Sequence, residues 1–520
     1  MRATFDIAVV GSGFGGSLLA MIARQSGRSV ILLERGRHPR FAIGESSTPL
    51  ANLILEELAE RHGLAQLFPL TRWGRWQEKH PELACGLKRG FTFYHHTAGQ
   101  PWTPTRDRDN ELLVAASPHD RIADTHWYRA DFDQFLVQEA QRSGVEYWDQ
   151  VELQKPLLSA DAVELSGTRL GRNFTVQARF LVDATGPRGF LHRAWGLGEA
   201  PVPAMPPTEG LYTHFTGVRR WADLPGRFQP GDTPPYPVDD AAMHHVFAGG
   251  WIWVLRFNNG VTSAGVAATA EAARELRLAE GASAWARLLE RLPSVREQFA
   301  EAKTVFHFGH ASRLSFRSDV AAGARWALLP SAAGFIDPLL STGFPLTLLG
   351  ISRLGDAIQR HWGREEFGQA LADYNGTTLR ELDSVAQLVG ALYARLEDFP
   401  LFTALSLLYF AAASFTESAR RLGRPELAGA AFLAGDHPAF GPRIRHCCTE
   451  ALRPLGEAEK EALLREIYQT IEPLDVAGLT DRSRRNWYGA QASDLIAAAG
   501  KLGVDAGAIE RLLERCGFGA

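Results

Sequence analysis

The sequence predicts an α/β fold that opens with a Rossmann-like nucleotide-binding unit and closes with a helical region. Three observations carry this reading. Residues 5–27, "FDIAVVGSGFGGSLLAMIARQSG", form a buried strand, a glycine turn and an apolar helix. Two later segments, "ARFLVDATGP" from Ala178 and "ARWALLPSAAGFIDPLLSTGFPLTLLGI" from Ala324, again run from an apolar strand into a loop. After about Gly363, apolar residues recur every three or four positions, as in "ALADYNGTTLRELDSVAQLVGALYARL", which is helical spacing.

The first unit is the most specific. Asp6 to Val10 is the strand, and Gly11, Gly13 and Gly16 complete G-x-G-x-x-G. The first glycine permits a tight turn. The second lets backbone approach a pyrophosphate, and the third lets helix and strand pack closely. "SVILLE" is the next strand and ends on Glu34, an acid placed to bind a ribose hydroxyl. No second G-x-G-x-x-G lies between a strand and a helix, so a separate NAD(P)H domain is not expected.

The chain has 520 residues, which suggests more than one domain, and 45% of them are hydrophobic, enough for a large core. A net charge of −4 argues against nucleic acid as a partner. Cys85, Cys447, Cys448 and Cys516 make no C-x-x-C pair and read as free thiols in a reducing, cytoplasmic compartment. The apolar run "PLFTALSLLYFAAASF" from Pro400 is short for a membrane span and carries Thr403, Ser406 and Ser414, so it reads as a buried helix. No secretory leader is visible.

Between Glu34 and the next helix lies "RFAIGESSTP", residues 40–49. Pro49 fits a first helical turn, with Thr48 or Ser47 as its N-cap. A capped helix entrance explains part of this stretch, but a resemblance says more. "RFAIGESSTP" resembles the strap of flavin-dependent halogenases, and three other segments resemble parts of that family. These are "ELACGLKRGFTFYHH" around Lys88, "AGGWIWVLRFNNG" around Trp251 and Trp253, and "GFIDPLLSTG" around Asp337 to Gly343. "HWYRADFDQFLVQEA", which carries Arg129, is common to these and related flavin enzymes. The phenol-type members are the more similar, because tryptophan halogenases carry an acid where Leu340 stands. Leu255-Arg256 stands where the W-x-W-x-I-P motif has Ile-Pro, and Pro330-Ser331 where a Gly-Asp pair binds ribityl.

The resemblance implies a p-hydroxybenzoate hydroxylase-type FAD domain at 1–365. Interleaved with it is a β-sheet substrate layer, at about 85–150 and 201–310, and residues 366–520 are a helical region covering the substrate side. It implies FAD supplied reduced by a separate flavin reductase, a chloride or bromide ion, and a small aromatic substrate, free or carrier-bound. It implies that Lys88, Glu45 and Ser46 act in catalysis. The expected cofactor contacts are Gly11, Gly13, Gly16, Glu34, Arg129, Asp183, Gly186, Asp337 and Gly343. The expected pocket wall is Trp251, Trp253, Phe93 and His95.

Read from the residues alone, these sites have plainer alternatives. Lys88 sits beside Arg89 in a β-like stretch and could be an exposed strand lysine. Ser341, Thr342 and Gly343 precede a helix beginning near Phe344, and such a turn binds anions. The same turn would serve a flavin oxidase that takes no halide. Trp251, Trp253 and Leu255 alternate, so they share one face of a strand, and a buried aromatic face is often simply core. The pairs His95-His96 and His244-His245 point opposite ways on a strand, so no metal is expected. A flavin monooxygenase or oxidase, and a reductase of isoprenoid double bonds, remain as alternatives on the same fold.

Overall fold

The computed structural model describes residues 2–519. The nucleotide-binding sheet runs in the order Ala322–Gly323, Trp326–Leu328, Arg172–Asp183, Arg2–Val10, Val30–Leu33 and Glu146–Trp148. Its centre is parallel: Ile7 to Val10 face Phe180 to Asp183 on one side and Val30 to Leu33 on the other. These strands are buried on both faces, which explains their unbroken apolar sequence. Helix Phe14–Gln25 follows the first strand and packs against helices Arg129–Arg142 and Gly343–His361. Arg129–Arg142 and Glu146–Trp148 were expected in the substrate layer. They belong to the nucleotide layer instead, because Glu146–Trp148 pairs in parallel with Val30–Leu33.

The second sheet runs Lys303–Thr304, Thr208–Thr216, Thr262–Thr269, Gly250–Arg256, Ala242–Phe247, Gly90–His96, Glu111–Ala115 and Trp487–Tyr488. Strand alternation divides it into two faces. Phe91, Phe93, Trp251, Trp253 and Leu255 join the core shared with the nucleotide domain and the C-terminal helices. Tyr94, Met243, Ile252 and Val254 form a second core with helices Ala270–Leu276, Ala282–Arg291 and Pro293–Gln298.

Helices Glu366–Tyr393, Phe399–Arg421, Phe440–Ala451 and Glu457–Ile471 make up most of the rest. The C-terminal region is not helical throughout. Its strand Trp487–Tyr488 pairs in parallel with Leu113 and Val114. Phe399–Arg421 is the one helix, among the described residues, long and apolar enough to cross a membrane, and 83% of its apolar window is buried in the core. Pro330 and Ser331, expected in a loop, start the short helix Pro330–Ala333.

Candidate active site

The glycine turn is shaped by its neighbours unequally. Gly11 has φ +97°, and a Cβ there would lie 2.7 Å from the Ala184 carbonyl. A Cβ on Gly16 would lie 1.9 Å from the Gly11 carbonyl, so the third glycine is what lets the helix pack. Gly13 is different: its φ is −65°. The nearest atoms to a Cβ there are Nη2 of Arg129 at 3.4 Å and of Arg40 at 3.7 Å. The fold does not require glycine at 13. What it leaves is a cradle at a helix N-terminus with two guanidinium groups beside it, which suits a pyrophosphate.

Glu34 lies at the end of the second strand, and its carboxylate accepts the Ser12 N–H at 2.9 Å and the Gly36 N–H at 2.8 Å. Burial opposes its charge, but these bonds and Arg40 outweigh that and hold its pKa below the usual carboxylate value. Arg129 is bound through two nitrogens to Asp133 at 2.8 Å and donates to the Ile43 and Gly44 carbonyls at 3.0 and 2.9 Å. It thereby ties the nucleotide turn to the start of the strap.

Two acids read as cofactor contacts are turned inward. Asp183 is fully buried and accepts from Thr185 N at 2.9 Å, Thr185 Oγ1 at 2.6 Å and Leu191 N at 2.6 Å. It shapes the loop that carries Gly186, which has φ +82°. Asp337 accepts Leu339 N–H at 3.0 Å, the Trp251 indole N–H at 3.2 Å and the Tyr393 hydroxyl at 2.8 Å. Burial pushes its carboxyl up to about 7, against the pull of those three donors. Asp337 thus anchors the loop leading to Ser341, Thr342 and Gly343. Leu340 and Ser341 in that loop both have positive φ, 63° and 55°, a conformation that surrounding structure must enforce. Helix Gly343–His361 starts immediately after, and a Cβ on Gly343 would meet nothing within 4 Å.

These contacts predict the effect of one distant residue. Tyr393→Phe leaves an oxygen of Asp337 short of a donor, a cost of about 1–3 kcal/mol. Urea denaturation should register that loss. An unchanged denaturation midpoint would show that the loop does not depend on Tyr393.

The strap is held at both ends. Thr48 is the N-cap of helix Pro49–Arg61, its Oγ1 accepting Ala51 N–H at 3.2 Å. Ser47 N donates to the Thr125 carbonyl at 3.2 Å, and the Glu45 carbonyl accepts Trp127 N–H at 2.6 Å. Glu45, read as catalytic, directs its carboxylate to His214 Nε2 at 2.7 Å, a buried pair that fastens the strap to the second sheet. Ser46 lies opposite His126, and its Oγ is buried with no partner among the described residues.

Lys88 ends the strand Cys85–Lys88 and is fully buried, which removes the exposed-strand alternative. Its Nζ donates to the Ser47 carbonyl and lies 3.8 Å from the centre of the Phe91 ring. Burial drives its proton affinity down, and the Asp124 carboxylate drives it back up. His126 and His244 are also close enough to feel its charge, and burial pushes both down to about 3, so they are neutral.

Trp251, Trp253 and Leu255 share one face, as alternation predicted, and Phe93 joins the same core. Much of that face is covered by C-terminal aromatics: Phe93 lies 5.8 Å from Phe402, and His95 stacks on Phe399 at 5.1 Å. Trp251, expected in the pocket wall, is 1% exposed and directs its indole N–H to Asp337 and Tyr393. Arg256 is held by Asp239 at 3.2 Å and by the carbonyls of Val218 and Arg219. It ties the Val218–Arg219 turn to the end of the Trp251 strand. Sequence reasoning missed Asn52, Asp124, His214 and Tyr393.

The tryptophan halogenase family model matches residues 123–406. The chain belongs to that family. The halogenase is 30% identical over 412 residues to the monodechloroaminopyrrolnitrin halogenase PrnC of Pseudomonas fluorescens, spanning 78% of this chain and 70% of that one. It is 31% identical over 396 residues to the tetracycline 7-halogenase of Kitasatospora aureofaciens, spanning 71% and 68%. Its fold is similar to that of halogenase PltM, solved with phloroglucinol and FAD. The TM-score is 0.81 at 23% identity, over 93% of this chain and 99% of that one. It is an FAD-dependent halogenase of mixed α/β architecture, and halide is its co-substrate.

Proposed function

We propose that this halogenase halogenates a phenol-like, electron-rich aromatic, with Lys88 handling the oxidised halogen. The observation that carries the reading is Lys88 itself, sealed between the strap and an aromatic face. PltM was solved with phloroglucinol, a phenol, which supports the substrate class. A 1H-pyrrole-2-carbonyl-[peptidyl-carrier protein] brominase of Pseudoalteromonas luteoviolacea is 24% identical, so a carrier-bound substrate is a second form to test.

Reduced FAD, when bound, supplies the electrons that let dioxygen oxidise halide. The chain's own residues do the rest. Gly13, Arg129, Arg40 and Glu34 would hold the dinucleotide, and the N–H groups around Thr342 and Gly343 offer an anion site at a helix start. The buried end of the strap, at Glu45, Ser47 and Thr48, and the aromatic face exclude water from the path of hypohalous acid. Lys88 receives it, since an ammonium donates a hydrogen bond to hypohalite and a neutral amine can take up the halogen. The division of labour follows chain order: residues 1–365 bind FAD around the substrate sheet, and 366–520 cover the substrate side. Four free cysteines, three of them buried, suit a cytoplasmic site.

The test is mass spectrometry of a phenol and indole panel with reduced FAD and bromide. A bromophenol is the expected product. Oxygenated products without bromine would replace this reading with a monooxygenase.

The electron source gives a separate prediction. With one dinucleotide fold, the protein alone should oxidise NADPH slowly, and an added flavin reductase should restore turnover. Stopped-flow reduction of the flavin by NADPH at the turnover rate, without a reductase, would contradict it.

A further inference from the structure

Lys88 is placed where water does not reach its charge. Its head group meets the Ser47 carbonyl and the face of Phe91, and neither is a counter-charge. A buried ammonium must be neutralised or opposed. The register of two short strands supplies the opposing group. Cys85–Lys88 pairs antiparallel with Asp124–Trp127, and Lys88 faces Asp124 directly. Cross-strand partners project from the same face. Asp124 is 6% exposed; one carboxylate oxygen accepts the Asn52 amide at 2.7 Å, and the other has no partner among the described residues. The same Asn52 amide donates to Ser47 Oγ at 3.1 Å. The first helix after the strap, the strap itself and two strands thus close a polar ring around one lysine.

We propose that Asp124 is the counter-charge of Lys88, a positioning residue that holds the lysine head group in register with the strap and decides whether it carries its proton. This rests on Lys88 being the residue that handles the oxidised halogen. Burial disfavours charge on both groups, while each stabilises the charge of the other. Burial lowers the proton affinity of the lysine and raises that of the carboxyl, so it narrows the gap between the two seats a shared proton can take. A group that must donate to a hypohalite oxygen and then take the proton back needs that balance.

The other groups facing the pair do not supply it. His126 and His244 are neutral. From the covering helix, Glu417 raises and Arg421 lowers the Asp124 carboxyl, and these two are paired with each other at 2.7 Å. Tyr409 also faces Asp124, and burial drives its phenol further from ionisation.

The chain has six lysines, so [ε-13C]lysine labelling gives few signals, and Lys88 is the one lost in Lys88→Met. In the FAD-loaded enzyme, Asp124→Asn should move the Lys88 titration midpoint down by about one pH unit or more. Asp124→Glu should return it most of the way. The pH limb of halogenation, scored as brominated product per hydrogen peroxide released, should move by the same amount. Asn52→Ala removes a bond that favours the ionised form of Asp124, so it should shift both readouts in the same direction by less. It serves if Asp124→Asn does not fold. An unmoved midpoint overturns the proposal, and so does a moved midpoint with an unmoved halogenation limb. Full halogenation by Lys88→Ala would instead remove the catalytic reading of Lys88, on which the proposal depends.

Discussion

Replacing Lys88 with alanine should cut halogenation by about 10²- to 10⁴-fold, the range for a positioned proton-transfer group, and leave FAD affinity close to wild type. The separation follows from geometry. The cradle proposed for the dinucleotide is Gly13, Arg129 and Glu34, and none of these touches the lysine head group, whose contacts are the Ser47 carbonyl and the Phe91 ring. Electron flow to dioxygen should continue, with hydrogen peroxide released in place of product. Lys88→Met keeps much of the stem's packing against Phe91 while removing the charge. If chemistry is at stake, methionine behaves like alanine; if packing is, it behaves like wild type. Unchanged bromination of an active phenol by Lys88→Ala would end the proposal that the lysine handles the halogen.

Gly13→Val should give a folded protein that has lost FAD, with affinity down at least about 100-fold, or ~2.8 kcal/mol. The structure makes this glycine separable from its neighbours. Gly16→Ala would drive a Cβ to 1.9 Å from the Gly11 carbonyl, so it should damage the helix packing and the fold together. At Gly13 the nearest neighbours of a Cβ are side-chain atoms no closer than 3.4 Å, and the backbone is already in a region open to any residue. What valine would fill is the space a pyrophosphate needs. Circular dichroism should therefore match wild type while the flavin spectrum is absent. A full flavin complement on purified Gly13→Val would be the contrary result.

Local signals in the sequence were legible and distant ones were not. The glycine spacing, the Thr48 cap before Pro49 and the alternation of Trp251 with Trp253 depend on neighbours a few residues away, and each lies where its spacing puts it. Asp183 and Asp337 stand at the right places in the chain, but burial and local donors turn their carboxylates inward, which spacing does not encode. Arg256 is an example of the same gap: its partners come from residues 218, 219 and 239. The polar ring at Lys88 joins residues 41 and 72 positions apart. The Glu45–His214 pair spans 169. Such contacts are set by strand register across the chain, which one sequence without pattern at that range does not reveal.

The edge strand Trp487–Tyr488 puts a condition on how the molecule is made. Its partner, Leu113–Val114, leaves the ribosome more than 370 residues earlier. The nucleotide sheet can be completed once Trp326–Leu328 has emerged. The second sheet meanwhile presents Glu111–Ala115 as an open edge through most of synthesis, and open edges recruit other strands. Translation of the last part of the chain is therefore the interval in which a nascent molecule is most exposed to pairing with a neighbour on the same message.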